Sequence, residues 1–87
     1  MHALSDEVIS SKTVGVLRGI IGARLSNKIS PSSHLVDDLG FDSVMAIRVM
    51  LEFERVFKIN VAEKSDSINI AEIVTVGDLI GLVRRLL

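Results

Sequence analysis

The stretch that most limits what this chain can become begins at Asp42-Ser43 and runs to Phe57. Val44, Ile47, Met50, Leu51 and Phe57 recur there at helical spacing, while Arg48, Glu52 and Arg55 form a stripe of opposite charges three and four residues apart. Asp42 suits the N-cap, because its carboxylate can accept from the free amides of the first turn and favours the positive end of the helix dipole. The pattern predicts a helix over 43–57 with Ser43 at its first position.

An earlier apolar series, Val14, Leu17, Ile20, Ile21 and Leu25, predicts a helix from Ser11 to about Leu25. Gly15, Gly19 and Gly22 interrupt it, each costing about 1 kcal/mol relative to alanine at an exposed interior site, so something should compensate them. Tight packing against a neighbouring helix of the same fold is the preferred reading, ahead of close approach by a partner's backbone. Residues 1–10 read as either a flexible arm or a helical extension started by Ser5-Asp6-Glu7.

Ser26 to Ser33 holds the only proline, Pro31, and is rich in turn formers, which makes it a loop with Ile29 tucked inward. Ala62 to Ser67 is polar and reads as loop, and Ile68, Ile70, Ala71 and Ile73 predict one short helix. Thr75-Val76-Gly77-Asp78 is a variant capping box ahead of Leu79, Ile80, Val83, Leu86 and Leu87, with Arg84 and Arg85 in the last turn, where cations suit the dipole. The expected fold is all-α, an antiparallel four-helix bundle of three long helices and one short, forming a single domain over 1–87.

Composition narrows function by exclusion. The 87 residues leave room for one core, which at 48% hydrophobic and 3% aromatic must be built from Val, Ile, Leu and Met. A net charge of -1 lacks the basic excess of a nucleic-acid binder. Cysteine is absent, and His2 and His34 are a poor basis for a metal site, so none is expected. No apolar segment approaches the roughly 18 residues of a membrane span, and the chain reads as a soluble, cytoplasmic monomer. No paired carboxylates, Ser-His-Asp set or phosphate-cradling loop has suitable spacing, which argues against an enzyme. Asp37 and Asp38 read as turn-forming residues, and His34 as a loop residue with no site.

The run Leu39-Gly40-Phe41-Asp42-Ser43-Val44 resembles the L-G-x-D-S-hydrophobic motif of acyl and peptidyl carrier proteins. Leu35-Val36-Asp37-Asp38 before it, Glu54 and Phe57, then Ile59 and Val61, and Ile73 to Leu79 agree in register, so the resemblance covers roughly residues 14 to 87. It implies that Ser43 carries a 4′-phosphopantetheine arm whose terminal thiol holds acyl groups as thioesters. Asp42 matches the motif aspartate used in recognition by the phosphopantetheinyl transferase and its Mg²⁺. The serine has no base nearby, so activation would come from that enzyme. Acyl-loading and acyl-transferring enzymes are the other implied partners, met through Val44, Ile47 and Leu51, which either face partners or an acyl pocket or are plain core.

Fatty-acid carriers bear a dense acidic helix after the serine. Here Met45, Ala46, Arg48 and Arg55 stand in that helix with only Glu52 and Glu54 acidic, which points to a specialised carrier with a different docking arrangement. The connection from Val61 to Ile73 reads as longer than usual, a tolerated insertion. An aminoacyl or peptidyl carrier of a non-ribosomal pathway and an unmodified helical interaction module are the competing readings.

Overall fold

The computed structural model describes residues 5–87, and among these every regular element is helical. The elements are α1 (Asp6–Ile21), α2 (Ala23–Ser26), α3 (Ser43–Phe57) and α4 (Val76–Leu86), with two 3₁₀ turns, Ala62–Ser67 and Ile70–Glu72, between α3 and α4. Met1 to Leu4, including His2, lie outside the described residues.

The first helix differs from expectation at both ends. It starts earlier, because Ser5 is its N-cap, with Oγ accepting from the Val8 amide at 3.2 Å, and Asp6 and Glu7 occupy the positive end of its dipole. Residues 5–10 are therefore cap and first turns. It ends earlier because Gly22 takes φ 94°, which breaks the helix after Ile21 and leaves Ala23–Ser26 as a separate turn. Between α3 and α4, Ala62–Ser67 forms a 3₁₀ turn where a loop was expected, and the anticipated short helix at 68–73 shrinks to Ile70–Glu72.

α1 packs against both α3 and α4. It contributes Ile9, Val16 and Leu17 to a core completed by Leu35, Leu39, Val49, Phe53 and Phe57 and by the buried face of α4. The Phe53 and Phe57 rings meet edge to face at 5.6 Å, a favourable arrangement for adjacent aromatics. On α3 the buried stripe is thus Val49, Phe53 and Phe57, spaced four apart, while Val44, Ile47 and Leu51 are 60% or more exposed. The plain-core reading of those three is overturned. α3 carries apolar residues on most of its circumference, so periodicity admits two stripes, and contact with α1 selects one.

The packing account of the glycines fails as well. A Cβ at Gly15 or Gly19 would meet nothing from the rest of the fold within 4 Å. Close packing falls instead on Gly77, whose Cβ would lie 3.0 Å from the Pro31 carbonyl oxygen while its amide donates to that oxygen at 2.8 Å.

Candidate functional site

The segment entering α3 is held at three levels. Locally, the His34 carbonyl accepts from Asp38 and Leu39, the Val36 carbonyl from Gly40, and the Leu35 carbonyl from Phe41, so 34–41 closes into a compact turn. Asp38 Oδ2 accepts from the His34 amide at 2.8 Å, the turn-forming role expected of it. Gly40 takes φ 71°, a conformation its lack of a Cβ permits. At longer range, His34 and Thr75 form an isolated antiparallel bridge, with Leu35 donating to Val74 at 2.9 Å and Val76 to Ser33 at 3.0 Å. The start of α3 is therefore tied to the start of α4, and buried Leu35 and Leu39 anchor it to the core.

Out of this turn the chain enters α3 through Asp42, whose backbone is extended at φ -130° and ψ -177°. Its Oδ1 accepts from the Met45 amide at 2.9 Å, the N-cap bond expected of it. Ser43 is the first helical residue and is exposed, so its hydroxyl is open to an approaching enzyme. Among the described residues no imidazole or amine hydrogen-bonds to its hydroxyl.

Beside Ser43 lies a cavity of about 720 Å³. Asp42, Ser43 and Ile47 contribute at its α3 side, and Phe41, Met50, Ile68 and Ile73 supply apolar walls. Leu51 also reaches it, whereas Val44 does not line it. Glu54 is a lining residue that sequence reasoning left without a role: its Oε2 accepts from the Val61 amide at 3.0 Å, tying the chain leaving α3 back onto the helix. The signal was present as a carboxylate seven residues before that amide, but only the left-handed turn at Lys58, φ 55°, reverses the chain enough to bring them together.

Around the two helix starts the charge is mixed. Asp37 lies 3.8 Å from His34 Nδ1, and Asp78 is held below the ordinary aspartate range, first by the hydrogen bond from the Thr75 amide and then by that from Val74. On the far face of α3, Glu52 pairs with Arg55 at 2.6 Å, and the hydrogen bond to that carboxylate pushes the guanidinium's pKa further up. Among the described residues Arg48 makes no ion pair with Glu52, unlike the expected stripe. No cluster of three or more metal-ligating side chains occurs among them either.

An exposed serine at a helix start, next to an apolar cavity, fits a domain that receives a flexible arm, and residues 12–83 match the family described as the phosphopantetheine attachment site. An acyl carrier protein of Thermotoga maritima is 30% identical over 81 residues, covering 93% of this chain and 94% of that protein. A putative mitochondrial acyl carrier protein of Schizosaccharomyces pombe is 34% identical over 58 residues, 67% of this chain and 48% of that protein. The chain belongs to the acyl carrier protein family. Members of this family are carriers rather than catalysts, and their cofactor is a covalently attached 4′-phosphopantetheine. No helix among the described residues is long and apolar enough to cross a membrane.

Proposed function

We propose that Ser43 is the attachment point of the 4′-phosphopantetheine arm and that the chain carries acyl groups for fatty-acid, lipid or polyketide-type biosynthesis. The observation that carries this reading is the adjacency of an exposed Ser43 to an apolar cavity of about 720 Å³. The arm supplies a terminal thiol on which acyl groups are held as thioesters. The chain's own residues do the rest. Asp42 caps α3 and offers a carboxylate to the transferase and its Mg²⁺, Ile47 and Leu51 border the cavity, and Val44 and Ile47 offer partners an apolar surface beside the serine.

The cavity favours an acyl cargo over an aminoacyl or peptidyl one. Its lining is mostly apolar, with Phe41, Met50, Ile68 and Ile73 among the walls, and burying unpartnered peptide amides against them would cost several kcal/mol. We take the chain to work as a single domain, an antiparallel helical bundle, monomeric and cytoplasmic. Loading and transferring enzymes visit it in turn, the tether raising the local concentration of the carried group at each active site. The scarcity of carboxylates on α3 supports a dedicated pathway rather than the general fatty-acid synthase.

The test is a mass measurement on the intact chain after incubation with coenzyme A, Mg²⁺ and a broad-specificity phosphopantetheinyl transferase. A gain equal to one phosphopantetheine group is expected, and none for Ser43→Ala. Absence of any gain in the unmutated chain would leave the unmodified interaction module as the better reading.

A further inference from the structure

Between α1 and α3, on the other side of Leu51 from the cavity, runs a groove of about 670 Å³. Gly15 and Gly19 line it from α1, one helical turn apart, both exposed and both facing open space where a Cβ would stand. Ile20 and Val56, half-buried, give it apolar walls. Its charged lining is Lys12, Arg48 and Arg55 against a single carboxylate, Glu52, which already holds Arg55 at 2.6 Å. Lys12 and Arg48 have no ion-pair partner among the described residues.

We propose that this groove docks an acidic amphipathic helix of a partner protein. Charge selects the occupant: a cationic or uniformly apolar helix would desolvate Lys12 and Arg48 without pairing them, whereas carboxylates on a helix's flanks would pair with both. The absent side chains at Gly15 and Gly19 allow that backbone to approach α1 closely, because the distance between packed helices is set by the side chains at the contact. Leu51, 60% exposed, borders both the groove and the cavity beside Ser43, so the occupant would lie alongside the carrier's working face. The inference extends the carrier reading to the kind of partner, but it rests on the groove and its charges and not on modification of Ser43.

The test uses the full, unmodified ¹⁵N-labelled chain, in parallel with Ser43→Ala, and two helical peptides of about 18 residues, long enough to span roughly 27 Å. The peptides share a leucine stripe and differ in carrying glutamates or lysines on its flanks. The glutamate peptide should shift the Gly15 and Gly19 amides and bind about tenfold more tightly than the lysine peptide, as several exposed charge contacts together provide. Lys12→Glu with Arg48→Glu should reverse that preference. Gly19→Leu, placed in open space, should abolish binding while the thermal melt stays cooperative. Equal affinities, no binding of either peptide, or shifts confined to cavity residues such as Phe41 and Ile73 would overturn the proposal. Ser43→Ala should bind the glutamate peptide as the unmutated chain does, so failure of the attachment reading and failure of the docking reading are separately visible.

Discussion

Thr75 and Asp78 cap α4 reciprocally: Thr75 Oγ1 accepts from the Asp78 amide at 3.1 Å, and Asp78 Oδ2 accepts from the Thr75 amide at 3.0 Å. The same carboxylate oxygen takes the Val74 amide at 3.0 Å, so it also secures the residue whose carbonyl receives Leu35 from the turn before α3. Because these bonds favour the ionised form, Asp78 has a folded pKa below its unfolded one. A depressed carboxylate adds stability above its unfolded value, near about 3.9, and that contribution disappears as pH falls through the lower folded value.

Acidification from about pH 5 to about pH 3 should therefore lower the urea midpoint, with part of the loss traceable to this one cap. Asp78→Asn should show a smaller decline over that range while being less stable than the unmutated chain at neutral pH. Equal acid sensitivity of the two chains would remove Asp78 from the account.

Gly15→Ala and Gly19→Ala should each stabilise the free chain by about 0.5–1 kcal/mol, read as a higher melting temperature. The helix gains propensity, and the added methyl meets nothing from the rest of the fold within 4 Å. Gly77→Ala should give no such gain, because its methyl would press on the Pro31 carbonyl oxygen at 3.0 Å. A loss of stability at position 15 or 19 would restore the expectation that these glycines serve packing inside the fold.

Replacement of Asp42 should separate capping from charge. Asp42→Ala should cost about 0.5–2 kcal/mol in urea unfolding, since the Met45 amide loses its acceptor. Asp42→Asn keeps an acceptor oxygen and should stay within about 0.5 kcal/mol of the unmutated chain. Its rate of modification by the transferase should nevertheless fall, because the carboxylate's charge is gone. Unchanged modification of the Asn variant would reduce Asp42 to a cap.

Both helix starts that frame the site, Asp42-Ser43 and Thr75 to Asp78, were legible because capping is local: an acceptor side chain and an amide three residues on suffice. The end of α1 was not, since Gly22 at φ 94° looks in sequence like the two helical glycines before it. Nor was the orientation of Ile47 and Leu51, on a helix with two apolar stripes whose choice depends on contact with α1. The cavity was the least visible feature. Its walls come from Phe41, α3 and the residues around 68–73, brought together by the turn at Lys58 and the Glu54 to Val61 hydrogen bond.

That last hydrogen bond has a consequence for cargo size. The wall carrying Ile68 and Ile73 belongs to a stretch of short 3₁₀ turns, whose bonds have poorer geometry than those of α1, α3 or α4. Such a segment opens at lower free energy than the helices around it. On the proposed carrier reading the cavity is an elastic sleeve, stiff along α3 and soft along the 3₁₀ side, and the longest acyl chain it could shelter would be set by how far Ile68 and Ile73 yield before the clasp from Glu54 to Val61 lets go.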